Sequence, residues 1–247
     1  MAFVEICVGS LNSALAAQKG GAQRIELCDN LYEGGTTPSY GTIKIVRESL
    51  DIPIHVIIRP RGSDFCYNDI EFEAMKEDIR ICKDLGITGV VIGVLLPDGR
   101  IDESRTKELV QLARPISVTF HRAFDMTPNP WIALSVLKDL GIDRILTSGQ
   151  KNTAVEGSEV IKQLIKEAGT EIKILPGGDL NEDNIAEFAK STGATEFHAT
   201  LRSLVDSKMV FRNEAVSMGG LSQIPEFSIK ETDPVKVANF VSILKRI

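Results

Sequence analysis

The chain has 247 residues, with 28 Lys and Arg against 34 Asp and Glu, and a formal charge of −6. Its 43% hydrophobic and 25% charged residues are those of an ordinary globular protein. That mild acidity argues against a nucleic-acid partner, which would need a basic stripe, and no apolar run approaches the ~20 residues of a membrane-spanning helix. Met1-Ala2-Phe3-Val4-Glu5 lacks the positive start and apolar core of a secretory signal. The expected setting is therefore cytoplasmic, with Cys7, Cys28, Cys66 and Cys82 kept as thiols. These four form no CxxC pair, and no histidine completes a zinc-finger spacing, which sets aside a structural zinc site.

Short Val- and Ile-rich runs bounded by Gly, Pro or Asp read as strands. In chain order they are Phe3–Cys7, Arg24–Cys28, Ile54–Arg59, Gly89–Val94, Ile116–His121, Arg144–Thr147, Ile172–Leu175 and Thr195–His198. Between them lie the helical patterns Leu11–Lys19, Tyr40–Ser49, Ile70–Leu85, Glu103–Ala113, Trp131–Leu140, Ala154–Ala168 and Asn184–Ser191. Eight strand-then-helix units imply a parallel sheet, and eight is the number that closes a TIM barrel. The first strand runs into Val8-Gly9-Ser10-Leu11 with no GxGxxG. That speaks against a doubly wound sheet and against a nucleotide cofactor. The expected fold is thus α/β, one (β/α)8 TIM-barrel domain over residues 1–247. Residues 199–231 read as a long irregular segment, an extended loop or an arm for a neighbouring subunit. Residues 232–247 read as a C-terminal helix, with Asp233 as N-cap and Pro234 at its first position. Val235, Ala238, Val241 and Leu244 are expected to line its buried face.

Alternate residues of a barrel strand face inward. In several strands one face is purely apolar and suits the helix layer, which turns the other face into the barrel. That inner face carries Glu5 and Cys7, Arg24, Glu26 and Cys28, His55 and Arg59, Thr119 and His121, and Glu196 and His198. Barrel interiors are normally filled by branched aliphatics, so five polar strands point either to a site or to an internal ion-pair network. In the network reading, Glu5 and Glu26 face Arg24, Arg59 and Arg144. In the site reading, Glu5, Glu26, Arg59, His121 and His198 are the candidate catalytic groups at the C-terminal mouth. The mouth loops offer Arg59, Arg61, Arg122, Ser148, Gly149, Gly177 and Gly178 for a small anion, phosphorylated or carboxylate, because guanidiniums and Gly-rich amides bind such groups. Whether any catalysis occurs stays open at this level.

Several strings carry a resemblance. They are Val4-Glu5-Ile6-Cys7, Arg24-Ile25-Glu26-Leu27-Cys28, Glu33-Gly34-Gly35-Thr36-Thr37-Pro38-Ser39 and Ile58-Arg59-Pro60-Arg61-Gly62. Asp64-Phe65-Cys66-Tyr67, Val118-Thr119-Phe120-His121-Arg122-Ala123-Phe124-Asp125, Leu146-Thr147-Ser148-Gly149, Phe211-Arg212-Asn213 and Ser217-Met218 complete the set. Together these resemble the CutC family of copper homeostasis proteins, over nearly the whole chain. The resemblance implies a single-domain barrel, a homodimer, a cytoplasmic role in copper handling, and Cu(I) held by Cys7 and Cys28. His198 is a candidate third ligand. The alternative reading is an enzyme acting on a small anionic metabolite; a third is a module whose interior charges are merely paired.

Overall fold

The computed structural model of the protein describes residues 2–218 and 224–247. The parallel strands are β1 (Phe3–Val8), β2 (Arg24–Leu27), β3 (Ile54–Ile57), β4 (Gly89–Ile92), β5 (Ser117–Phe120), β6 (Arg144–Thr147), β7 (Lys173–Pro176) and β8 (Glu196–Ala199). They bond in the order β7-β6-β5-β4-β3-β2-β1-β8, and β7 lies beside β8, so the sheet rolls into a nearly closed barrel. The helices between them are α1 (Leu11–Lys19), α2 (Tyr40–Ser49), α3 (Asp69–Asp84), α4 (Glu103–Ala113), α5 (Pro130–Asp139), α6 (Ser158–Ala168) and α7 (Ile185–Thr192), with α8 (Pro234–Lys245) last. Among the described residues no helix is long and apolar enough to cross a membrane.

Local chemistry sets the helix starts. Ser10, Ser39, Asp102 and Asn129 each accept a first-turn amide, and Asn68 forms a capping box with Glu71. Asp233 caps α8 as expected, ahead of Pro234. The outward strand faces, such as Val4, Ile6 and Val8 or Ile54 and Val56, are fully buried under the helix layer.

Along the inward face of β4, Val91 is flanked by glycines at Gly89 and, just past the strand's end, Gly93, and this has a steric reason. A Cβ at Gly89 would meet the His55 ring at 2.4 Å, and one at Gly93 would meet the His121 ring at 2.3 Å. These two positions therefore give up a side chain so that imidazoles from β3 and from the end of β5 can enter the barrel.

Four expectations shift. The stretch before α8 is less irregular than its sequence suggests: β9 (Arg202–Asp206) and β10 (Ser228–Thr232) pair antiparallel at its two ends. Their mixed polar pattern hides the strands, and β10 is seated instead by the Thr232 amide donating to Ser13 Oγ at 3.1 Å. Residues 219–223 of that stretch lie outside the described residues. The buried face of α8 is Val237, Phe240, Val241 and Leu244, whereas Val235 and Ala238 face out. Val237 sets this rotation by packing so close to Gly20 that a Cβ there would lie 2.5 Å from it. Helix α6 begins at Ser158 rather than Ala154, because Gly157 sits against the Ser148 carbonyl, 1.9 Å from where a Cβ would stand. Helix α7 begins at Ile185 rather than Asn184. Asn184 flanks it without a side-chain cap, its side chain bonding Asn181 N and Asp179 O instead.

Replacing Gly93 by Ala is expected to cost about 1–3 kcal/mol through overpacking. The cost should fall sharply in a His121→Ala background, read as the shift in urea midpoint across the double-mutant cycle.

Candidate functional site

The inward polar residues form a continuous column from barrel floor to mouth. At the floor, Arg144 Nε meets Glu196 Oε2 at 3.0 Å and its NH1 donates to Ser117 Oγ at 2.9 Å. Arg24 NH2 reaches the same Glu196 oxygen at 3.1 Å, while its Nε donates to Glu5. The other Glu5 oxygen pairs with His198 Nδ1 at 2.7 Å. His198 Nε2 then faces Glu26 Oε2 at 3.7 Å. Glu26 accepts from Cys28 Sγ at 3.5 Å, and Cys7 and Cys28 bring their sulfurs 3.6 Å apart. The ion-pair expectation holds for Glu5 with Arg24. It fails for Glu26, which among the described residues meets no arginine, and for Arg144, whose partner is Glu196.

Cys7 lies on β1 directly beside Glu26 of β2, and Cys28 sits one pleat further, just past the end of that strand. Barrel stagger thus does not separate the two sulfurs. One ligand atom each from Cys7, Glu26 and His198 lies within 4.8 Å of the others, all three residues buried. Cys66 and Cys82 stand apart from this group.

Burial alone would discharge these groups, so their mutual contacts decide the charges. The Cys28 thiol, hydrogen-bonded to Cys7, pulls the Cys7 thiol below its ordinary range against burial, and the His198 ring assists. Cys28 is pushed up by the same contact and by burial. His198 is raised: burial works against its charge, but contacts with Cys7 and Glu5 outweigh that. Glu5 stays far below the usual carboxylate range, since Arg24 and His198 overcome burial. Glu26 is raised by burial and by the charge on Cys7. These contacts favour charge on Cys7 and His198 and disfavour it on Glu26. Such an arrangement suits soft-metal ligation or thiolate chemistry.

Beyond this column, the other expected residues divide. Arg59 is buried, and its terminal amines donate to Glu33 O, Gly35 O and Ser63 O at 2.8, 2.7 and 2.8 Å. His121 is buried beside it, with Nδ1 accepting from the Ala123 amide at 3.1 Å. Arg61 turns outward onto Glu71 and Asp64 at 2.7 and 3.0 Å. Arg122 pairs with Asp125 at 2.8 Å and with Ser148 Oγ at 2.6 Å. The carboxylate of Asp125 fills the loop after β6, accepting from the Ser148 and Gln150 amides at 3.0 and 3.1 Å and from Thr147 Oγ1 at 2.5 Å. The Ser148 amide is thereby consumed by a residue of the chain itself, and the Gly149 amide donates to Thr147 Oγ1. Gly177 and Gly178 serve close packing: their Cβ positions would meet Leu146 at 2.7 Å and Ser148 at 3.2 Å.

A cavity of about 110 Å³ opens at the mouth among Glu26, Arg59, Phe65, His121, Leu146 and His198. Larger clefts of about 670 and 610 Å³ lie on the outer helix layer, around Trp131 and Ile132, away from these groups. Asp125, Phe65 and Leu146 were not singled out from sequence. Gly89 and Gly93, packed against His55 and His121, were a second sign, beside strand alternation, that imidazoles enter the barrel.

A family model described as the CutC family matches residues 2–203. A copper homeostasis protein cutC homolog of Homo sapiens is 48% identical over 245 residues, covering 99% of this chain and 90% of its own length. A CutC family protein of Chromobacterium violaceum is 48% identical over 235 residues, 95% of each chain. The solved structure of the chain named CutC from Streptococcus agalactiae matches with a TM-score of 0.78 at 36% identity, covering 81% of this chain and 99% of that one.

His121 provides a pH test. Burial, with the nearby Arg59 charge, holds its folded ring down to about 3, against about 6.5 in the unfolded chain. The native state thus resists a proton that the unfolded chain accepts. This contribution to stability is full above about pH 6.5 and is lost as pH falls toward 3. At ~1.4 kcal/mol per pH unit, His121→Asn should lose about 1.5 kcal/mol less stability than wild type between about pH 6.5 and 5, measured by urea unfolding at each pH.

Proposed function

Because the chain belongs to the CutC family, we propose that it serves copper homeostasis in the cytoplasm by holding Cu(I) through the Cys7 and Cys28 thiolates. The observation that carries this reading is the sulfur pair, 3.6 Å apart, with His198 and Glu26 beside it. Soft thiolates favour Cu(I) over hard cations. With metal–sulfur bonds of ~2.3 Å, sulfurs at this spacing would subtend about 103° at a shared ion, and a linear pair would need them ~4.6 Å apart. The donor set therefore fits an ion with a third ligand, which His198 supplies through Nε2, and Glu26 is at hand for a fourth. The cluster is enclosed, and the cavity that shares Glu26 and His198 with it offers the ion a way in from the mouth.

The reduced, metal-free protein should bind one Cu(I) in competition with a colorimetric chelator. The Cys7→Ser/Cys28→Ser double variant should bind at least about a hundredfold more weakly, and unchanged binding would remove the site. We also read the arm between β9 and β10 as the seat of a second copy. It leaves Val210 99% and Phe211 77% exposed, with Met209 and Met218 alongside, an apolar surface of the kind that marks an interface. Phe211→Asp should convert a dimer to a monomer in sedimentation, with the circular dichroism spectrum unchanged.

A further inference from the structure

The cavity at the mouth has an electrostatic demand that the chain itself leaves unmet. Arg59 is 5% exposed, and among the described residues it has no carboxylate partner. Its terminal amines end on neutral carbonyls and its Nε–H bonds to nothing. A buried, uncompensated cation of this kind is rare because it is costly. On the same cavity, His121 is 4% exposed and keeps its ring neutral. Its Nδ1 accepts the Ala123 amide, which assigns the ring proton to Nε2, and that atom also has no partner. Phe65 spans the two, its ring centre 5.0 Å from the imidazole and 5.2 Å from the guanidinium carbon. Two buried side chains, each with an unpartnered N–H and one of them an unpaired cation, thus line one small space, with Leu146 and Ile57 as its apolar walls.

We propose that this cavity binds a small monocarboxylate, of acetate to pyruvate size, whose oxygens accept from Arg59 Nε–H and His121 Nε2–H and whose carbon end rests against Leu146 and Phe65. The volume of about 110 Å³ corresponds to roughly four waters at ~30 Å³ each. A single unpaired guanidinium matches a single negative charge. Phosphate is the less suited ligand for a further reason. The loop after β6 that would help seat it is already closed by Asp125. The site is distinct from the sulfur pair, since neither Cys7 nor Cys28 lines the cavity, and it stands whether or not copper binds there.

The test titrates the reduced, metal-free full chain with acetate, pyruvate and inorganic phosphate, by calorimetry and by the nitrogen resonance of His121 Nε2. Saturable one-to-one binding of acetate or pyruvate is expected, with phosphate at least about tenfold weaker and the Nε2 resonance shifting along the same isotherm. Leu146→Phe, which narrows the cavity, and His121→Phe, which removes one donor, should each weaken binding at least about tenfold. The Cys7→Ser/Cys28→Ser variant should retain it within about twofold, which separates this site from the copper reading. The proposal is overturned by an absence of saturable carboxylate binding to the folded wild type, by a preference for phosphate, or by affinities unchanged in both cavity variants.

Discussion

The Glu5 carboxylate is the constraint on which the interior of this barrel depends. It is 1% exposed and divides its two oxygens between Arg24 below and His198 above. Removing one partner from such a buried pair typically costs about 3–5 kcal/mol, because the other charge is stranded. Glu5 therefore fixes more than its own position. It ties the floor network of Arg24, Glu196 and Arg144 to the mouth, and it holds the ring whose far nitrogen faces Glu26. Glu5 thus joins Cys7 in favouring charge on His198, whose ring in turn assists Cys28 in lowering the Cys7 thiol.

A gradient of satisfaction runs along the barrel axis. At the floor every charge has its opposite within bonding distance, as Arg144 and Arg24 share Glu196. At the mouth the accounts do not balance: Glu26 has no cation but His198, and the buried Arg59 has only carbonyls. Buried polar atoms are normally partnered. Where two residues carrying unpartnered donors line the same cavity, as His121 and Arg59 do, the fold has left room for something from outside. Stability is concentrated at one end of the sheet and chemistry at the other, the usual division of labour in a barrel.

Much of this was legible in the chain. Alternation of apolar and polar residues gave the inward face of five of the eight strands, since a period of two leaves no ambiguity once one side is wholly apolar. Helices α1, α2 and α4 fell where their periodicity and caps placed them. What was not legible has a common cause. Arg59, Arg61 and Arg122 look alike in sequence as mouth-loop cations, yet one is buried against carbonyls, one is turned out to Glu71, and one clamps Asp125. Which acceptor a long side chain meets depends on the paths of loops distant in the chain. The strands β9 and β10 were missed because their pairing is between segments more than twenty residues apart with no apolar alternation to mark them.

The sequence by itself determined the repeat of eight strands and helices, the polarity of the barrel interior and the family to which the chain belongs. Each is carried by local spacing or by long matched strings. Only the tertiary structure decided that Cys7 and Cys28 meet at 3.6 Å, that Asp125 occupies the loop amides, and that Arg59 is left without a counter-charge among the described residues. These depend on the stagger between neighbouring strands and on the space that Gly89 and Gly93 vacate, and neither is a property of any one segment read alone.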